Sequence, residues 1–348
     1  MIHLLMAILV AVSPDLDRLF ESASKWRVGE AIEEVDSARK KLVELKKEAL
    51  DYIFSEKIKT TSTLEYRAIK YVVKHLKDLS LPYIYAGIHD DNDTVKINCI
   101  RLLGDLKDTS SVDTLISLLK VEKKKKVIRS IIFALGEIGV SRAAKVIEPY
   151  VSSRDMRMRL VSVIALKKLK DEDSIECLFK ALEDEYFIIR ETALEALSLI
   201  GTEEVLGKAL EKLDKGLFES YVGDAVEAAG TGLEMISNPG ILGIGAIELS
   251  SKLLAHEAQK SFDHYKCSKR IKYIRLTGKV AARIKDKNRE LYIRARKLLI
   301  SYLYSPCYLS RGYAVRALKR LNDTDVNKLL ELTKLKETNL FVRSQYSE

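Results

Sequence analysis

Val127-Ile128-Arg129-Ser130-Ile131-Ile132-Phe133-Ala134-Leu135-Gly136-Glu137-Ile138-Gly139 is the stretch on which the fold turns. Its apolar residues fall at three- and four-residue steps, which places them on one helix face. Gly139 then stands where such a helix would stop. The pattern returns at 95–104, 158–167 and 189–198. Leu103, Leu135, Leu166 and Leu197 hold equivalent places, 32, 31 and 31 residues apart. Two helices of about 11–12 residues with two short turns fill that period. Each copy also ends alike, at Leu106-Lys107-Asp108, Ile138-Gly139, Leu169-Lys170-Asp171 and Ile200-Gly201. A second apolar-periodic run follows each ending, for example Val112, Leu115, Ile116, Leu118 and Leu119.

Outward from this block the copies continue. Ala225-Val226-Glu227-Ala228 lies 32 residues beyond Ala193-Leu194-Glu195-Ala196, so a fifth unit starts near Phe218. Ser310 to Leu318 forms a late copy, and Arg343, 32 residues beyond Arg311, begins a truncated one. Weaker copies run through Tyr66 to Asp78 and Ile274 to Asp286. Residues 14–58 read as a helical hairpin that breaks at Val28-Gly29, with Ser13 as cap and Pro14 at the first helical position. Its second helix is expected to be long, carrying Ile32, Val35, Ala38, Leu42, Leu45 and Leu50.

The string 127–139, and Asp184 followed by 189–197, resemble HEAT repeats of the type found in phycobiliprotein lyases. The resemblance is fullest over 91–213 and returns at 306–345. It implies an all-α fold, an α-solenoid (superhelix) of helical hairpins in which each unit buries its apolar face against its neighbours. It does not imply one function, because that family includes scaffolds, lyases and nucleic-acid enzymes, and the matching residues define the repeat and no active site. The expected organisation is an apolar segment at 1–13, a helical hairpin at 14–61, regular repeats at 62–213, an irregular Gly-rich repeat at 214–262 and basic repeats at 263–348.

Composition agrees with helices: 47% of residues are hydrophobic and 31% charged, with only 16 Gly and 5 Pro in 348. Cys99, Cys177, Cys267 and Cys307 form no CxxC or Cys/His cluster, so spacing suggests neither a zinc site nor a disulfide framework. The five His residues are scattered, and no metal or small-molecule cofactor is expected. Residues 1–12 are apolar apart from His3. They read either as an export signal ending near Ala11-Val12-Ser13 or as a capping helix, so the chain is cytoplasmic or exported to the cell envelope accordingly. The segment is too short for a spanning helix, which needs about 20 apolar residues.

Lys96, Arg159, Arg190 and Arg311 recur at the second position of the pattern. They are expected to form a structural ladder, with Asp93, Asp155 and Asp184 as available partners; an anion-binding stripe is the alternative. Lys123 to Lys126 make a charged turn, and Gly243-Ile244-Gly245 lacks the strand a dinucleotide loop requires. The charge distribution is uneven. Residues 264–320 hold seventeen Lys and Arg against Asp286 and Glu290, a net +15 in a chain of +9, so the remainder sums to −6. On a helix, Lys269, Lys272, Arg275, Lys279 and Arg283 share one arc, and Ile274, Ala281 and Ile284 lie opposite. Tyr265, Tyr273, Tyr292, Tyr302, Tyr304, Tyr308 and Tyr313 are interleaved with these cations. Basic residues beside aromatics suit an anionic partner. No Ser/His/Asp or Cys/His constellation and no phosphate loop is recognisable, and Trp26 lies far from the basic block. The expectation is a non-enzymatic scaffold for a protein partner with a basic end for an anionic one. The alternative is a solenoid that contacts nucleic-acid phosphates through 269–283.

Overall fold

The computed structural model describes residues 14–214, 269–305 and 307–347. The apolar segment 1–13 and the Gly-rich stretch beyond residue 214 lie outside them. The helices are α1 (Pro14–Ala23), α2 (Ala31–Glu44), α3 (Lys47–Tyr52), α4 (Thr63–His75), α5 (Lys77–Gly87), α6 (Asp93–Asp105), α7 (Val112–Val121), α8 (Lys125–Ile138), α9 (Ala144–Ile147), α10 (Met156–Leu169), α11 (Ile175–Ala181) and α12 (Phe187–Ile200). After them come α13 (203–214) and α14 (269–284). The rest are α15 (Arg289–Ser301), α16 (Tyr308–Leu321), α17 (Thr324–Lys336) and α18 (Leu340–Ser347). Among the described residues there is no strand. The fold is an all-α solenoid of helical hairpins.

The periodic Leu residues set the register. Leu103, Leu135, Leu166 and Leu197 are all fully buried. First helices begin on side-chain caps: the Asn92 side chain accepts from the Thr94 and Val95 amides, and Asp155 does the same for Arg157 and Met158. They end on a left-handed residue. Lys107, Gly139, Lys170, Gly201 and Asn322 all have φ between 45° and 82°. Glycine reaches that conformation freely, whereas lysine adopts it against steric strain.

The described residues divide into two compact units, one running to Cys177 and adding 186–192, the other comprising 178–185 and the chain from Ala193 onward. In the first, α6, α8 and α10 stack almost backbone to backbone. A Cβ on Gly104 would lie 2.9 Å from Ala134 Cα, and one on Gly136 would lie 2.7 Å from Ala165 Cα. In the second, α14 meets α16 the same way, where a Cβ on Gly278 would lie 2.6 Å from Ala317 Cα.

Two features differ from the sequence reading. The long second helix of the N-terminal hairpin breaks at Lys46, whose φ is 45°. Continuing the helix through Lys46, four residues after the buried Leu42, would carry an ammonium onto the buried face. The break leaves Lys46 exposed and brings Ala49, Leu50 and Ile53 into the core. Cysteine usage also differs: Cys99 is a free thiol, but Cys307 is disulfide-bonded. Burial pushes the Cys99 thiol up to about 12, so it packs as an apolar side chain.

Candidate functional site

The five cations of the basic stripe lie on α14, and Ile274, Ala281 and Ile284 are buried on its opposite side. The stripe itself is divided. The Lys272 ammonium sits 2.6 Å from a Glu183 carboxylate oxygen and donates to the Leu182 carbonyl at 3.1 Å. The Arg283 guanidinium donates to the Ser198 carbonyl, in the last turn of α12. Both groups therefore satisfy carbonyls left over where the preceding helices end, where a positive charge is also favoured by the helix dipole. Arg275 places its guanidinium 5.8 Å from the centre of the Tyr313 ring. Lys269 is exposed and Lys279 half-buried.

The interleaved tyrosines also separate into two groups. Tyr273, Tyr292 and Tyr302 are core residues. The Tyr273 hydroxyl donates to Glu183 at 2.6 Å and the Tyr292 hydroxyl to Asp323 at 3.1 Å. Burial first, then the adjoining carboxylate, pushes both phenols above their ordinary range. Tyr304 is 68% exposed, Tyr308 is partly so, and Tyr313 is half-buried. Tyr265 lies outside the described residues.

Two of the ladder cations, Lys96 and Arg311, pair with acids other than Asp93, Asp155 and Asp184. Lys96 pairs with Glu122 at 3.7 Å. Arg311 grips Glu337 through two bonds of 2.8 and 3.1 Å and donates to the Ser305 carbonyl. Arg129, one place beyond the equivalent position in α8, pairs with Asp155 at 3.5 Å. In each case the acid follows its cation by 26 residues, a spacing the sequence carries, though it is longer than the steps from Asp93, Asp155 and Asp184 to the ladder cations that follow them. Asp93 instead holds Lys124 at 2.7 Å. Of the lysine run, Lys125 and Lys126 open α8 and only Lys123 and Lys124 stand in the turn.

Arg159 and Arg190 lie at an aromatic edge of the first unit. Tyr186 precedes α12, and Phe187 and Ile188 begin it; all three are exposed, Phe187 by 67%. Arg159 lies 5.5 Å from the Tyr186 ring centre and Arg190 5.9 Å from that of Phe187, within cation–π range. Arg159 also donates to the Ser153 carbonyl at 3.0 Å. Two large aromatics and an isoleucine, flanked by guanidinium groups and open to solvent, have the composition of a protein-interface centre.

Among the described residues no group of three or more His, Cys, Asp or Glu side chains could hold a metal ion, and no helix is long and apolar enough to cross a membrane. The Gly243 motif lies outside those residues. A family model described as HEAT repeats matches residues 81–166 and 147–229. No curated protein matches. Among solved structures, importin beta in an ammonium sulfate condition is 11% identical with a TM-score of 0.52, covering 95% of this chain and 46% of that one. The Escherichia coli protein YibA is 13% identical with a TM-score of 0.47, covering 93% and 97%. An engineered protein is 16% identical with a TM-score of 0.42, covering 96% and 87%. This chain thus spans about half the length of the importin beta chain it matches.

Proposed function

From an all-α solenoid whose residues 81–229 match HEAT repeats, we propose that the chain is a non-enzymatic scaffold holding a macromolecular partner, foremost a protein. The single observation that carries this reading is the aromatic edge at Tyr186, Phe187 and Ile188 with Arg159 and Arg190 beside it. Exposing three large apolar side chains in succession carries a solvation cost that burial against a partner removes. The basic, Tyr-rich end adds a region for an anionic partner, with Lys269, Arg275 and Lys279 as its contacts. Lys272 and Arg283 belong to the packing of the second unit.

A photo-crosslinking residue in place of Phe187, expressed in the native cell, should join the chain to a species of one defined mass. Ile188→Asp should abolish that product while thermal unfolding stays unchanged. No crosslinked species, or one indifferent to Ile188→Asp, would refute the scaffold reading. The alternative, phosphate contact through 269–283, is disfavoured by the commitment of Lys272 and Arg283 to internal carbonyls. It predicts oligonucleotide binding at about 50 mM salt that falls with a slope near −0.9 per phosphate contact for duplex DNA. Absence of binding by the wild type under that condition removes it.

A further inference from the structure

On α16, Tyr313, Arg316 and Arg320 follow one another at three- and four-residue steps and so share one helix face. The close approach of Gly278 to Ala317 brings α14 against this helix. Arg275, one turn before Gly278, then meets the same aromatic ring as Arg316: their guanidinium carbons lie 5.8 and 5.9 Å from the Tyr313 ring centre. Arg320 completes the group from the exposed end of the face. Among the described residues, no carboxylate pairs with Arg320. Acids of the same hairpins are committed elsewhere, Glu337 to Arg311 and Asp323 to Tyr292, Arg296 and the first amides of α17. Burial first, and then the charges of Arg275 and Arg316, depress the pKa of Arg320. The arrangement concentrates like charge where the described residues supply Arg320 no counter-charge, and such a cluster is stabilised by an anion brought from outside.

We propose that Arg275, Arg316 and Arg320, with Tyr313 as the wall between α14 and α16, form a binding site for a phosphoryl group. Guanidinium forks match the oxygens of a phosphoryl group in pairs, which lysines cannot do. The site deepens the reading of the basic end as the region for an anionic partner and rests on that reading. It draws on only one residue of the stripe read from sequence, Arg275, and shifts the centre of recognition from α14 to the α14–α16 contact.

The test is a titration of the full chain with inorganic pyrophosphate at low salt, followed by calorimetry. Saturable binding is expected, weakened about tenfold or more by Arg320→Gln, as the loss of a charge-assisted hydrogen bond requires. Arg320→Lys, which keeps the charge and loses the fork, should weaken it too. Lys287→Gln removes an equal charge from an exposed position in the same basic block and should leave binding unchanged. Phosphatidylcholine vesicles with and without phosphatidylinositol bisphosphate separate the sources. Vesicle binding that pyrophosphate displaces and Arg320→Gln abolishes identifies a lipid headgroup; pyrophosphate binding without vesicle binding identifies a free phosphate. No saturable binding by the wild type, or equal weakening by Lys287→Gln, would overturn the site. Retention of a single-stranded oligonucleotide with no response to pyrophosphate would overturn it in favour of an extended nucleic-acid surface. Because the crosslink at position 187 reports on the first unit, its persistence alongside a failed titration removes this site and leaves the scaffold reading standing.

Discussion

The stack of α6, α8 and α10 and the pair α14 and α16 are built to one plan and neutralise their cations differently. Both bring first helices together through a glycine opposite an alanine. In the first region the cations meet carboxylates: Lys96 with Glu122, Lys124 with Asp93, Arg129 with Asp155 and Lys168 with Glu137. In the second, Lys272 and Arg311 also meet carboxylates, Glu183 and Glu337, while several cations settle on carbonyls and aromatic faces. Lys272 and Arg283 take helix-terminal carbonyls, Arg275 and Arg316 the Tyr313 ring, and Lys285 and Arg289 the Tyr292 ring at 5.6 Å each. Cation–π contacts contribute about 0.5–1 kcal/mol each at exposed sites and do not cancel charge. Both regions therefore carry surplus positive charge, a net +8 over residues 93–169 and +15 over 264–320, and the size of that surplus is a property of sequence with no counterpart in topology.

The sharpest way to break the shared plan is at the glycines. Gly136→Ala should destabilise the first unit by about 1–3 kcal/mol, and Gly278→Ala the second by a similar amount, because the new methyl meets backbone that cannot yield. Gly207→Ala, with open space around it, should not destabilise; urea unfolding of the three variants checks this.

The next effect separates the two ways of neutralising charge. Arg311→Met leaves the Glu337 carboxylate without its two bonds and should cost about 1–3 kcal/mol. Arg311, ahead of burial and the Asn339 amide, holds the Glu337 carboxyl below the ordinary glutamate range of 4.5. A carboxylate depressed in the folded state adds stability that is fully present above the unfolded value and is lost as pH falls through the folded one. Wild-type stability should therefore decline below about pH 4.5. Arg311→Met should be weaker at neutral pH with a flatter acid limb, read from unfolding midpoints across pH.

A smaller loss, about 1 kcal/mol, is expected from Tyr273→Phe, which removes the hydroxyl from Glu183. The smallest change is a gain. Lys170→Gly, at φ 54°, relieves left-handed strain and should stabilise by roughly 0.5 kcal/mol after the added flexibility of the unfolded chain is subtracted. Gly139→Ala, at φ 82°, should move stability the other way by about 1 kcal/mol.

The period was legible because burial repeats: Leu103, Leu135, Leu166 and Leu197 each need the same apolar surroundings, and helical spacing exposes that need in one dimension. The break at Lys46 was hidden because apolar residues continue on either side of it, and only the phase slip between Leu42 and Leu50 betrays it. The arc of cations on α14 is legible from helical spacing, but a first helix in a stack has neighbours on two sides, and residue angles do not say which carbonyl ends nearby. Lys272 and Arg283 share that arc, yet each donates to a backbone carbonyl of its own unit. Arg316 and Arg320 were counted as charge and not placed, because their meeting with Arg275 depends on the contact of Gly278 with Ala317, 39 residues away.

The 26-residue step from Lys96 to Glu122, Arg129 to Asp155 and Arg311 to Glu337 bears on how such a chain can change length. One residue gained inside a helix turns everything beyond it by about 100° and separates cation from acid. A whole period of 31 or 32 residues, added or lost, sets an equivalent cation opposite an equivalent acid again. Electrostatic pairing makes the hairpin a quantum of insertion and deletion, so duplication of entire units is the mutation this ladder tolerates and single-residue slippage is the one it resists.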